Sequence, residues 1–106
     1  MTDEAVLLRD ATPWGVRLTL NRPAKLNAIS AELRDALTEA IAEAASDERV
    51  RVIAIAGAGR AFCSGYDLSE AAPSTAWDWR DVLARDVAAT LAVWSCPKPV
   101  IAQVHG

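Results

Sequence analysis

The chain has 106 residues, enough for one small domain. Apolar residues make up 52% and charged residues 24%, a composition typical of a globular protein rather than a disordered one. The net charge is -3 without a basic block, so nucleic acid is not an expected partner. No apolar stretch approaches a membrane span, and the acidic first residues do not look like a signal peptide, so we expect a cytoplasmic protein without a membrane partner.

Two strands are predicted at the start of the chain, over residues 5–8 and 16–20, joined into a hairpin by a turn at residues 10–13. A loop follows from Asn21 to Ala28. Ser30 is a typical helix N-cap, and apolar residues then recur at helical spacing, which predicts an amphipathic helix ending near residues 46–47. Residues 50–56 are nearly all apolar and β-branched, which predicts a strand covered on both faces.

The next segment contains a tight glycine turn, Gly57-Ala58-Gly59. A dinucleotide fingerprint would need a further glycine at position 62, where Phe62 stands, so we do not expect a nucleotide fold. The octet from Ala61 to Leu68 looks like a helix start, with a short helix predicted over residues 68–72. Free N–H groups at such a start can hold a developing negative oxygen, and Asp67 is expected to cap them rather than to act as an acid or base.

A longer helix is predicted over residues 77–94 and a last strand over residues 100–104. The order of elements is therefore α/β, with hairpin and crossover connections mixed. The helix carries an apolar line, and its charged residues between Asp78 and Asp86 are expected on a solvated face. The tryptophans are expected to pack in the core or in a lid. Because no helix covers the last strand, apolar surface would remain exposed, which predicts poor solubility or association.

Two cysteines, Cys63 and Cys96, and one histidine, His105, are the candidate metal or redox residues. Their spacing fits neither a CxxC pair nor a zinc site, so we expect free thiols and no metal. Cys63 would need a nearby base to act as a nucleophile, and nothing in the sequence places His105 beside it. A small buried thiol is the simpler interpretation.

Three blocks together resemble the enoyl-CoA hydratase/isomerase family, the crotonase superfamily, over nearly the whole chain. They are Asn21-Arg22-Pro23 with Asn27-Ala28, the segment from Gly57 to Leu68, and the segment from Pro97 to Ala102 that leads to Gly106. The resemblance implies an α/β fold, the N-terminal portion of a crotonase-like ββα spiral core. Residues 1–106 would form an incomplete domain of that fold.

The resemblance also implies a site for an acyl-CoA substrate. Tyr66 would donate its backbone N–H to the thioester oxygen, as one of the two donors of an oxyanion hole. The family more often has a small residue there, and we expect the tyrosine ring to reshape the acyl pocket. Lys25 could meet a CoA phosphate or remain solvated. The implied substrate-binding residues are Ala24, Lys25, Leu26, Ala28, Ser64, Gly65, Tyr66, Asp67 and Leu68.

The implied activity is that of an enoyl-CoA hydratase, a lyase of fatty acid metabolism that adds water to a 2-enoyl-CoA. Coenzyme A is then part of the substrate, and no separate cofactor is expected. The alternatives are another crotonase reaction, such as isomerase, dehydratase or thioester hydrolase, and a non-catalytic acyl-CoA-binding module. The family's second oxyanion donor and its glutamates have no counterpart here, so we expect the chain alone to be inactive. A homotrimer or hexamer is implied for the complete protein.

Overall fold

A computed structural model describes residues 5–70, 73 and 75–106. Its elements in chain order are β1 (Leu7–Thr12), β2 (Gly15–Leu20), α1 (Ala31–Ser46), β3 (Val52–Gly57), α2 (Ala76–Trp94) and β4 (Val100–Ala102). The four strands form one sheet in the order β1-β2-β3-β4. β1 pairs with β2 antiparallel, whereas β2 with β3 and β3 with β4 are parallel. Helix α1 connects β2 to β3, and helix α2 connects β3 to β4.

The hairpin is confirmed, but its first strand is longer than predicted and its turn lies later. β1 runs to Thr12, which pairs with Gly15, so the turn consists of Pro13 and Trp14. The prediction missed this because β1 is an edge strand whose residues from Leu8 to Ala11 are exposed, and exposed strands need no apolar alternation. β4 ends at Ala102 rather than at residue 104.

The core lies between one face of the sheet and helix α1. The helix begins as predicted, because the Ser30 side chain accepts a hydrogen bond from the Leu33 N–H at 3.1 Å. Leu33 and Ile41 are buried against Leu18 and Ile53. In β3 the successive residues 53, 54 and 55 are all buried, which confirms that both faces of this strand are covered.

Helix α2 has no buried residue. The predicted apolar line is exposed by half or more, and Trp94 is 84% exposed. Core packing of the tryptophans is therefore wrong for Trp77, Trp79 and Trp94. Helix α2 contacts α1 partly through charged side chains, whereas its apolar line is exposed. The exposed line consists of Leu83, Val87, Leu91 and Trp94.

Two ion pairs join the helices. Arg34, which is only 7% exposed, reaches Asp86 at 3.2 Å, and Arg85 reaches Asp35 at 3.3 Å. The expectation of a solvated charged face is therefore wrong for Asp86, which is 24% exposed, whereas Arg85 is 54% exposed. No helix in the described part of the chain has the length and apolarity that crossing a membrane requires.

Candidate functional site

The loop between β2 and α1 is organised by Asn27, which is fully buried. Its Oδ1 accepts a hydrogen bond from the Arg22 backbone N–H at 2.8 Å. Its Nδ2 donates to the carbonyls of Ala58 and Ala61, both at 2.9 Å. Asn27 has a φ of 56°, a left-handed conformation that asparagine tolerates better than most residues. One amide side chain thus ties the first sequence block to the second.

No helix begins within residues 61–70, so the predicted helix start is wrong, as is the predicted helix cap at Asp67. The rest of the predicted short helix, at residues 71–72, lies outside the described residues. The backbone instead forms an isolated parallel bridge between Ile29 and Tyr66. Gly65 enters the bridge at a φ of 104°, a value that disfavours any residue with a Cβ. The loop is therefore shaped by its neighbour rather than by helical hydrogen bonds.

The bridge determines where the Tyr66 N–H points. The Ile29 N–H donates to the Gly65 carbonyl at 2.8 Å, and the Asp67 N–H donates to the Ile29 carbonyl at 3.0 Å. Because both hydrogen bonds are made by the residues on either side of Tyr66, the N–H and C=O of Tyr66 itself point away from Ile29. The Tyr66 N–H accordingly has no acceptor among the described residues. A backbone donor is left available at this point of the loop.

Asp67 is held by an ion pair and a turn. Its Oδ2 accepts from Arg22 Nη2 at 2.9 Å, and the two side chains are 7% and 18% exposed respectively. Its Oδ1 accepts from the Ser69 hydroxyl at 2.6 Å and from the Ser69 N–H at 2.9 Å. The Ser69 hydrogen bonds, followed by that from Arg22, lower the pKa of Asp67 to about 2. Asp67 is therefore an ionised structural carboxylate.

A cavity of about 740 Å³ lies between α1, the Tyr66 loop and α2. Tyr66, Arg34, Trp79 and Asp86 are among the residues that line it. A smaller groove of about 220 Å³ continues along the apolar line of α2 and is also lined by Tyr66. The Tyr66 side chain, 54% exposed, stands where the two spaces meet.

The two predicted substrate-binding segments are neighbours in the structure. The Ser64 N–H donates to the Leu26 carbonyl at 3.0 Å, and the bridge joins the following residues. Ala24, Lys25 and Ser64 are exposed, and Leu68 is 95% exposed, so these positions can contact a ligand. Ala28 is buried, and the Asp67 carboxylate is occupied by its partners, so neither offers a free side chain.

Cys63 and His105 make separate contacts. The Gly65 N–H donates to the Cys63 Sγ at 3.4 Å, whereas His105 Nε2 lies 2.8 Å from the Gly59 carbonyl. No hydrogen bond joins the thiol to the imidazole, which supports the interpretation of Cys63 as a structural thiol. Among the described residues, no group of His, Cys, Asp and Glu side chains is arranged to hold a metal ion.

Sequence reasoning missed the parts played by Arg22, Asn27 and Ile29. An asparagine in a glycine- and proline-marked loop was a signal for a left-handed residue, but nothing identified its partners. The pairing of Arg22 with Asp67 spans 45 positions and carries no local pattern. The cross-helix contact of Arg34 with Asp86 spans 52 positions and likewise has no local sequence pattern.

The chain belongs to the enoyl-CoA hydratase/isomerase family, whose model matches residues 15–106. It is similar to a probable enoyl-CoA hydratase of Rhodobacter capsulatus, with 41% identity over 84% of this chain. It is also similar to the mitochondrial Delta(3,5)-Delta(2,4)-dienoyl-CoA isomerase of Rattus norvegicus, with 32% identity over 97% of this chain. The chain spans 34% and 35% of the length of these relatives.

Solved structures place the fold in the same family. An enoyl-CoA hydratase of Mycobacterium smegmatis matches 97% of this chain with a TM-score of 0.88 and 43% identity. An enoyl-CoA hydratase/isomerase of Xanthobacter autotrophicus Py2 matches 95% with a TM-score of 0.90 and 38% identity. The matched region covers 41% and 39% of those chains. The predicted crotonase-like fold, in its N-terminal portion, is therefore confirmed.

Proposed function

We propose that the complete protein acts on acyl-CoA thioesters, with hydration of a 2-enoyl-CoA as the leading reaction. The observation that supports this proposal is the free Tyr66 N–H. The bridge to Ile29 directs this N–H away from Ile29, and it has no acceptor among the described residues. The same residue lines the 740 Å³ cavity. Membership of the family and a free backbone N–H beside a cavity together support a site for the thioester oxyanion.

The chemistry requires such a donor. When water adds across the conjugated double bond, electrons move onto the thioester oxygen and an enolate forms. A preorganised N–H group stabilises this charge as it develops. Proton transfer needs acid–base groups as well. The cavity-lining carboxylates Asp35, Asp81 and Asp86 are held in ion pairs, and Glu70 accepts the Ala31 N–H at 2.9 Å. We therefore propose that Tyr66 supplies one oxyanion donor and that proton transfer uses groups outside these residues.

Binding of the CoA portion is proposed along the surface that joins residues 24–26 to residues 64–66. These segments are adjacent through the hydrogen bond from Ser64 to Leu26. Lys25 is exposed beside them, so its ammonium group can approach a phosphate without breaking an ion pair in the described structure. The acyl group would then extend past Tyr66 into the cavity.

An isomerase reaction is the second candidate. The rat dienoyl-CoA isomerase matches 97% of this chain, whereas the Rhodobacter capsulatus hydratase matches 84%. Both reactions pass through an enolate-like charge on the thioester oxygen, so one oxyanion donor serves either. Assaying the complete protein with 2-enoyl-, 3-enoyl- and 3,5-dienoyl-CoA substrates separates them. Binding without turnover of any substrate would instead favour a non-catalytic acyl-CoA-binding module.

Replacing Tyr66 with proline tests the assigned donor, because proline has no backbone N–H. We expect kcat of the complete protein to fall by roughly 10²–10³-fold, the usual cost of losing one oxyanion donor. Tyr66→Ala is the matched variant, since it removes the ring but keeps the N–H, and its kcat should fall far less. A folded Tyr66→Pro protein with undiminished kcat would contradict the assignment.

A further inference from the structure

The direction of the Tyr66 N–H depends on how two backbone segments are held together. Only the residues flanking Tyr66 bond to Ile29, so the donor is correctly aimed only while this single bridge keeps its register. An isolated bridge has no neighbouring ladder pairs to support it. Another contact must therefore hold the segments if the donor is to remain in one place.

The guanidinium of Arg22 makes that contact. Its Nη1 donates to the carbonyl of Ala28, the residue immediately before Ile29. Its Nη2 donates to the carboxylate of Asp67, the residue immediately after Tyr66, at 2.9 Å. Because the guanidinium is planar and rigid, these two bonds set the spacing between the bridged segments. A lysine could not hold both acceptors in a fixed plane.

Both ends of this contact are themselves fixed. The Arg22 backbone N–H donates to the buried Asn27 side chain at 2.8 Å. The Asp67 carboxylate accepts two hydrogen bonds from Ser69, which orient it independently of Arg22. A largely buried ion pair contributes little net stability, because desolvation offsets the attraction. We therefore attribute this ion pair to the positioning of the two segments rather than to the stability of the fold.

We propose that Arg22 is a positioning residue for the thioester oxygen donor, holding the Tyr66 N–H in place by joining Ala28 to Asp67. The proposal rests on the proposed function of Tyr66 and adds a residue that does not itself touch the substrate. It separates two roles within the loop, with Tyr66 donating and Arg22 aligning. Loss of alignment should affect the transition state more than substrate binding.

The test compares Arg22→Gln, Arg22→Lys and Asp67→Asn in the complete protein, with Arg9→Gln as the matched control. Arg9 pairs with Glu43 on the exposed surface, and this ion pair involves no residue of the loop. We expect the three loop variants to lower kcat by roughly 10–100-fold, as small misplacements at reacting centres do, with KM little changed. Arg9→Gln should retain the parent kcat. Arg22→Lys keeps a positive charge beside Asp67 and loses only the planar fork, so it provides the variant to compare if Arg22→Gln fails to fold.

A spectroscopic measurement separates alignment from general destabilisation. A 2,4-dienoyl-CoA probe absorbs at longer wavelength when its thioester oxygen is hydrogen bonded, because charge is drawn along the conjugated system. We expect the parent protein to shift this band and the loop variants to shift it less at saturating probe. No shift in the parent would contradict the proposed function itself. A normal shift and an unchanged kcat in folded Arg22→Gln would overturn the role of Arg22 alone.

Discussion

At the scale of single residues, buried polar groups determine the shape of the candidate site. Asn27 uses its amide to satisfy three backbone groups that belong to two different loops. Arg22 and Asp67 then join these loops to the bridge that aims Tyr66. The donor itself is an ordinary peptide N–H, so its chemistry depends on the surrounding hydrogen bonds and not on the tyrosine side chain.

Substituting Asn27 tests this dependence. Asn27→Ala leaves the Ala58 and Ala61 carbonyls and the Arg22 N–H without their partner, and each buried unsatisfied group costs about 1–3 kcal/mol. We expect a loss of at least that much in the free energy of unfolding, measured by denaturant titration. Asn21→Ala is the control, because Asn21 makes one exposed bond to the Ala5 carbonyl. Equal losses in the two variants would show that Asn27 has no special role.

At the scale of elements, the two helices are attached to the protein in different ways. Helix α1 buries an apolar face against the sheet, and Lys98 donates to the carbonyls of Ala44 and Asp47 at its end. Helix α2 buries no residue and relies on cross-helix ion pairs with Arg34 and Asp35, besides a few half-buried apolar contacts. Since apolar burial supplies most of the stability of a helix in a protein, α2 should open more readily than α1.

Neutralising one partner of the cross-helix pairs tests the attachment of α2. In Asp86→Asn we expect faster amide hydrogen exchange in α2 and unchanged exchange in β3. The effect should correspond to about 1 kcal/mol or less, because Asp86 is 24% exposed and solvent screens the pair. Glu39→Gln, on the exposed side of α1, removes a carboxylate that takes part in neither cross-helix ion pair, and it should leave exchange in α2 unchanged. Faster exchange in β3 as well would indicate a global loss of stability instead of a local effect on α2.

At the scale of the whole molecule, apolar side chains remain exposed in two places. One is the line along α2, and the other is near the last strand, where Ile101 is 51% and Val104 is 71% exposed. Exposed apolar surface normally contacts other protein when it forms a large patch. The trimer or hexamer implied by the family resemblance stays a prediction, but these exposed residues are where we expect association.

The 106-residue chain should therefore associate in solution when it is expressed by itself. We expect sedimentation to show species heavier than one chain, and Val87→Lys with Leu91→Glu to shift them toward the monomer by placing charges on the exposed line. Glu39→Lys, on the exposed side of α1, is the control and should leave the distribution unchanged. A wild-type chain that remains monomeric and unfolds cooperatively would contradict the prediction.

Local patterns predicted the elements whose causes are local. The Ser30 cap and the apolar spacing of α1 are such cases, as is the buried run of β3. The loop around Tyr66 could not be predicted in the same way, because an aspartate is equally suited to a helix cap and to a turn. The contacts that shape this loop, the bridge to Ile29 and the ion pair with Arg22 across 45 positions, leave no local pattern. The sequence blocks identified the family, and only the fold showed how the blocks contact one another.

The contact between Phe62 and His105 has a consequence for the order of events during synthesis. The Phe62 N–H donates to the His105 carbonyl at 3.1 Å, across 43 positions of the chain. A ribosome adds residues from the N-terminus, so the hairpin, α1 and β3 can pair before His105 has left the exit tunnel. The loop that bears Tyr66 cannot form its hydrogen bond from Phe62 until His105 has emerged. The donor would thus be among the last parts of this chain to reach its final geometry.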